Sequence, residues 1–320
     1  MSVAAVLLAA LFWGAGWLDS RLEKPETRGD HTLRYEYENL TELDDITYRP
    51  RRDVTAILLM GIDTAETGVG ARGYRDGGQA DFLRLIVMDA ADRRVTQIQI
   101  DRDTMTPITV LGIMGNKSGM RTAQISLSHG FGDGRERSCE LTVEAVSNLM
   151  FGIPIDGYVA MNLDGIAAFN DQLGGVTVTL EDDFSAFDPA MTKGATLTLT
   201  GKQAEYYVRQ RMAVGVGTNE GRMARQEQYI SQLMELLFAR MGEDKEFVGT
   251  LYDALSPYLT TNLSRGRIIN EAWAAKDCQR TEALKPAGVH KVGEDGFMQF
   301  WLDEAVLRQT VIDLFYTRVK

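Results

Sequence analysis

The sequence predicts an α/β protein: one large domain built on a central mixed β-sheet flanked by helices, preceded by an N-terminal membrane anchor. Three observations carry that expectation. Val54 to Ile62 is a short continuous apolar run, the pattern of a strand buried on both faces. Phe82 to Met88 and Val95 to Ile100 are two further runs joined by a polar turn, which reads as an antiparallel hairpin. From Ser138 onward, amphipathic helical patterns alternate with short apolar stretches.

The bulk properties bound the answer. A chain of 320 residues holds one large domain or two ordinary ones. With 44% hydrophobic and 25% charged residues, and only 7 Pro, the composition is that of a folded globular protein. A net charge of −11 supplies no basic field for a phosphate backbone, so nucleic acid is not an expected partner. Cys139 and Cys278 are the only cysteines and lack zinc-like spacing. Two unpaired thiols are the favoured reading; one bridge is the alternative.

Residues 1–18 carry no charge and read as a transmembrane anchor or an uncleaved signal. Residues 19–53 are charge-mixed, contain Pro25 and Pro50, and read as a linker that packs Tyr35, Tyr37 and Tyr48 against the domain. The folded domain is expected over 54–320. Its first strand ends at Asp63, and open α/β sheets place ligands at the C-terminal ends of strands. The glycine-rich stretch Thr64 to Gly78 has neither a phosphate-loop lysine nor GxGxxG, so it reads as a loop over a site. In the hairpin, Asp81 opens the first strand and Asp101-Arg102-Asp103 closes the second. Antiparallel pairing puts these at one end of the sheet, together with Asp63 if its strand runs parallel to the second.

His129, in a mixed stretch before a glycine turn, reads as either structural or in contact with the site. Ser138 to Met150 is an amphipathic helix. A strand around Tyr158, a helix from Ile166 to Leu173, a stop at Gly174-Gly175 and another strand follow. Further helices are expected at Phe247 to Leu255, Thr260 to Ala274 and Glu304 to Tyr316, with a late strand at Phe297 to Leu302.

Gly201 to Leu237 is a cationic stretch in an acidic protein. Arg209 and Arg211 fall on one side of extended chain if the first helix ends near Val208. Asn219 is a plausible N-cap for a second helix, whose buried stripe is Gln226, Ile230, Leu233 and Leu237. Arg222 lies one turn before Gln226 on that stripe. Core-facing Arg and Gln require partners, so they should line a polar cavity. Arg225 is offset and reads as a surface residue or a structural salt bridge. Planar guanidinium groups suit phosphate; an internal ion-pair network with Asp63, Asp81, Asp101 and Asp103 is the competing reading.

As an ordered set, several segments resemble the LytR-CpsA-Psr family of cell-envelope phosphotransferases. They are ILLMGID (57–63), the strand start at Asp81, DRDT (101–104), IDGYVAMNLDGIAAFNDQLGGV (155–176), LTGKQAEYYVRQR (199–211) and GRMARQ (221–226). The resemblance implies an α/β fold with an apolar cavity for a prenyl tail. It implies transfer of a glycan phosphate from a polyprenyl-pyrophosphate-linked glycan to a peptidoglycan hydroxyl, at the extracytoplasmic face of the cell membrane. Hydrolysis of the carrier pyrophosphate and non-catalytic lipid-glycan binding are the alternatives. It implies Mg2+ held by Asp63 and Asp81, and a pyrophosphate clamp of Arg102, Arg209, Arg211 and Arg222 with Gln226. Arg102, Asp103 and Arg211 would be the catalytic groups, Asp103 as base or as an orienting carboxylate. The chain departs from the family at Gln79, Asp101, Ala123 to Leu127 and Asn219; Arg72, Arg75 or Arg121 could replace the arginine missing at 79.

Overall fold

A computed structural model describes residues 41–43, 46–64, 77–112, 115–210, 219–276, 278–281 and 283–319. The expected anchor at 1–18 lies outside these. Among the described residues no helix is long and apolar enough to cross a membrane.

The chain enters through β1 (Thr41–Leu43) and β2 (Ile46–Pro50), crosses the core as β3 (Val54–Ile62), and returns through β4 (Ala80–Asp89) and β5 (Arg94–Ile100). A second hairpin, β6 (Met105–Leu111) and β7 (Lys117–Gln124), leads through a 3-10 segment, Ile125–Phe131, into α1 (Glu136–Leu149). Next come β8 (Gly157–Met161), α2 (Asp164–Gln172), the ribbon of β9 (Thr177–Thr179) and β10 (Thr196–Thr198), α3 (Gly201–Arg209) and the long α4 (Asn219–Glu243). The last part adds α5 (Phe247–Leu255), β11 (Leu259–Thr261), α6 (Arg265–Lys276) and β12 (Gln279–Arg280). A hairpin of β13 (Gly288–Val292) and β14 (Met298–Leu302), then α7 (Glu304–Phe315) and β15 (Tyr316–Arg318), complete it.

The central sheet has the order β11-β8-β3-β4-β5-β12. It is mixed: β8 is parallel to β3 and β12 to β5, while β4 is antiparallel to both of its neighbours. Strand side chains alternate between faces with period two, and both faces of β3 are apolar. Ile57 and Leu59 join the core beneath α2 to α6, whereas Ala56, Leu58 and Met60 join a second core with α1 and α7. That two-sided burial is why β3 reads as an unbroken apolar run instead of an alternating one.

Local signals set several boundaries. Thr200 and Gln203 form a reciprocal capping box at the start of α3. Gly174 and Gly175 adopt φ of +85° and +94° after α2, where a side chain would be strained. Elsewhere the structure differs from the sequence expectation. The helix expected from Thr260 begins at Arg265, and Thr260 and Thr261 extend the sheet edge beside β8. Asn262 Oδ1 accepts the Tyr158 N–H and the Thr261 hydroxyl donates to the Tyr158 carbonyl. These side-chain bonds compete with helix formation. The β6–β7 hairpin and β13 were not anticipated. Tyr48 sits in β2, between β1 and the C-terminal β15. Cys139 and Cys278 are both thiols, not joined in a disulfide; Cys278 donates to the Ala274 carbonyl, and Cys139 is buried, its thiol pushed up by desolvation.

Candidate functional site

Because β3 and β5 both run against β4, the end of β3, the start of β4 and the end of β5 share one edge of the sheet. A register irregularity between Gly61 and Ile62 turns the end of β3 toward the segment before β4. There Asp63 N donates to the Gln79 carbonyl at 3.1 Å, and Gln79 N donates to Asp63 Oδ1 at 2.6 Å. Gly78 makes this approach possible. Its φ is +73°, and a Cβ would lie 2.5 Å from Thr64 Cγ2 and 2.9 Å from Asp63 Oδ1. Gly78→Ala is expected to cost about 1–3 kcal/mol in a denaturant titration, through strain and forced displacement of the Asp63 carboxylate.

Arg102 is the hub of the cluster. Its guanidinium pairs with Asp81 and donates to Gln79 Oε1, and its Nε lies 3.5 Å from Asp103 Oδ1. Asp103 Oδ1 also accepts from Gln124 Nε2 at 3.1 Å. Asp101 braces the turn, accepting the Asp103 N–H at 2.9 Å, with its other oxygen 3.1 Å from His290 Nε2. The hairpin carrying His290 is stitched to the same turn by a bond from Phe300 N to the Asp103 carbonyl.

The electrostatics follow from crowding. Burial raises the pKa of Asp63; the bond from Gln79 opposes this and the charge of Asp81 adds to it. Asp63 keeps an exposed edge, so the packed strand ends desolvate it without sealing it off. Asp103 is likewise raised by burial, against the pull of Arg102. No group of three or more His, Cys, Asp or Glu among the described residues forms a metal cage. Two carboxylates on adjacent strand ends do suit a cation such as Mg2+, which keeps several waters and borrows ligands from substrate phosphates.

The described side chains of the arginine stretch make their contacts away from this hub. Arg209, at the end of α3, pairs with Glu205 at 2.8 Å. Gln226 is buried, donates to the Val208 carbonyl at 3.0 Å, and leaves Oε1 without a partner among the described residues. No contact among the described residues joins either side chain to Arg102. Arg225 is structural: it pairs with Asp182 at 2.8 Å and donates to the Tyr207 and Gln210 carbonyls, tying α4 to the end of α3. Arg211 and the side chain of Arg222 lie outside the described residues, as do Arg72 and Arg75. Arg121 is exposed and packs over Phe131. His129 is buried behind Gly78, with Nδ1 3.3 Å from its carbonyl; desolvation lowers its pKa to about 4. It braces the backbone at Gly78 as a neutral ring.

Sequence reasoning overlooked Arg84, Gln124 and His290. Arg84 is 1% exposed on β4, bonded to Gln97 at 2.8 Å and Glu227 at 3.2 Å. A charge inside an apolar strand, on the face shared with Gln97, was the available signal. Nothing local marks His290, which meets Asp101 only through the fold.

A sequence model of the LytR_cpsA_psr family matches residues 24–310. The chain belongs to this family. The match takes in every candidate site residue named above. Biofilm regulatory protein A of Streptococcus mutans is 26% identical over 249 residues, covering 75% of this chain and 57% of that protein. This chain therefore spans little more than half the length of that relative. Polyisoprenyl-teichoic acid–peptidoglycan teichoic acid transferase TagU of Bacillus mycoides is 25% identical over 258 residues, 80% of this chain and 76% of that one. Among solved structures, protein gbs0355 from Streptococcus agalactiae superposes with a TM-score of 0.65 at 22% identity, covering 82% and 87% of the two chains. That likeness shows a shared fold.

Proposed function

We propose that this LytR_cpsA_psr protein is a membrane-anchored, extracytoplasmic transferase. It moves a glycan phosphate from a polyprenyl-pyrophosphate-linked glycopolymer to a peptidoglycan hydroxyl during cell-wall assembly. The observation that carries the reading is the gathering of Asp63, Asp81, Arg102 and Asp103 from three strand ends at one edge of the sheet. The name of the TagU relative supports the substrate class.

In this reading the acceptor oxygen forms a bond to the glycan-side phosphorus as the bond to the polyprenyl phosphate breaks. The hydroxyl proton passes to Asp103, and polyprenyl phosphate leaves. Arg102 supplies fixed positive charge where the phosphoryl oxygens gain negative charge, already oriented by Asp81 and Gln79. Arg209, Arg211, Arg222 and Gln226 extend the clamp along the pyrophosphate. Asp63 and Asp81 are the residues that would hold Mg2+, which when bound neutralises pyrophosphate charge and eases departure of the leaving group.

The test supplies a lipid-linked glycan pyrophosphate and a peptidoglycan acceptor to the full chain in vesicles. Linked product supports the proposal; release of phosphate without linkage favours a hydrolase and overturns it. Chelating divalent metal is expected to abolish linkage, and added Mg2+ to restore it. The pH dependence follows from Asp103. Burial raises its pKa, so the base is protonated, and the rate falls, at a higher pH than for a free carboxylate. Asp103→Asn is expected to slow transfer by about 10²–10⁴-fold and to flatten that acid limb.

A further inference from the structure

A cavity of about 380 Å3 opens between the ends of β3 and β8, the segment leading into α1, and the turn before β11. It borders the candidate site: Ile62 and Thr64, which flank Asp63, are part of its wall, as is Gly77. Its volume falls within the range of small-molecule sites. The walls are tied together by backbone bonds, from Leu163 N to the Thr64 carbonyl and from Asn162 N to the Tyr258 carbonyl. On one side Gly77 and Gly134 meet so closely that a Cβ on Gly77 would lie 3.0 Å from Gly134 Cα. This is a built cleft between packed elements.

Its chemistry differs from that of the Arg102 cluster. Tyr252 and Tyr258 stand in one wall, and Asp133, Arg135 and Glu136 in another. Asp133 Oδ1 is fixed by the N–H groups of Arg135 and Ser138. Among the described residues, the charged side chains lining the cleft are two acidic and one basic, a balance less suited to a phosphate than the Arg102 cluster. A sugar suits the cleft instead: its hydroxyls can donate to carboxylates, which only accept, and its apolar ring face can lie on tyrosine.

We propose that this cleft is a sugar-binding subsite for the acceptor glycan, presenting its hydroxyl toward Asp63 and the Arg102 cluster. The subsite rests on the transferase reading above. It divides the sheet edge by charge: the donor pyrophosphate lies toward β4 and β5, the uncharged or amine-bearing acceptor sugar toward β3 and β8.

The experiment titrates a defined peptidoglycan oligosaccharide, and separately the lipid-linked pyrophosphate, into the full chain in nanodiscs. Tyr252→Ala and Glu136→Lys are compared with wild type. The expected result is acceptor binding weakened about tenfold in each variant with donor affinity unchanged; the melting temperature holds in Glu136→Lys and falls in Tyr252→Ala, whose ring also packs on the core. Unchanged acceptor affinity in both variants, or loss of donor binding in its place, overturns the subsite. So does a wild-type chain that does not bind the oligosaccharide. If wild type binds it in a Tyr252-dependent way yet forms no linked product, the subsite stands and the transferase reading falls.

Discussion

Replacing Arg102 with alanine is expected to lower glycan-phosphate transfer by about 10²–10³-fold, the loss typical when a pre-oriented charge-stabilising donor is removed. The guanidinium is already held by Asp81, Gln79 and Asp103, so little reorganisation is needed when negative charge develops beside it. The same contacts create a confounding effect, because alanine removes an ion pair from the nearly buried Asp81. Near-UV circular dichroism and a denaturant titration separate the two. Arg102→Lys provides the internal control: it keeps the charge but not the planar fork, so stability should recover further than activity. An alanine variant that folds and still transfers at the wild-type rate would remove Arg102 from the chemistry and leave an ion-pair network as the better description.

The second large effect is expected at Arg84, and it is one of stability. Alanine at this fully buried position leaves a cavity under α4 and an unpaired Gln97, a cost of about 2–5 kcal/mol. The ion pair contributes little of this, because the Glu227 side chain is 48% exposed and its charge is screened. Burial also lowers the pKa of Arg84, which is to say that the fold disfavours the charge there and Glu227 only partly offsets it. Arg84→Met, which restores apolar volume without a buried charge, is therefore expected to lie within about 1–2 kcal/mol of wild type or above it. Equal destabilisation by Ala and Met in urea titrations would show instead that the bonds to Gln97 and Glu227 hold this region together.

Much of the fold was legible because burial imposes periods on a sequence. The two-sided apolar run at Val54 to Ile62 could only be a central strand, and the turn between Met88 and Val95 implied a hairpin. The hairpin put Asp81 and Arg102 at one edge, whereas Asp63 joins them because β3 pairs antiparallel with β4, a direction that only the structure supplied. Periodicity shows which face of an element is buried but not what lies against it. Thr260 and Thr261 join a strand because Asn262 and Thr261 bond to Tyr158, a partner far away in the chain. Gln124 reaches Asp103, and His290 reaches Asp101, across hairpins that carry no strong local pattern.

The sequence by itself determined the α/β class, the central strand and the three segments that supply the carboxylate–arginine cluster, since each depends on local patterning and strand polarity. Only the tertiary structure decided that Arg225 braces α3 and α4 as a structural group, that Arg84 lies sealed in the core, and that a tyrosine-lined cleft adjoins Asp63. Those facts depend on which distant surfaces meet, and a charged side chain's role is set by the partner it finds there.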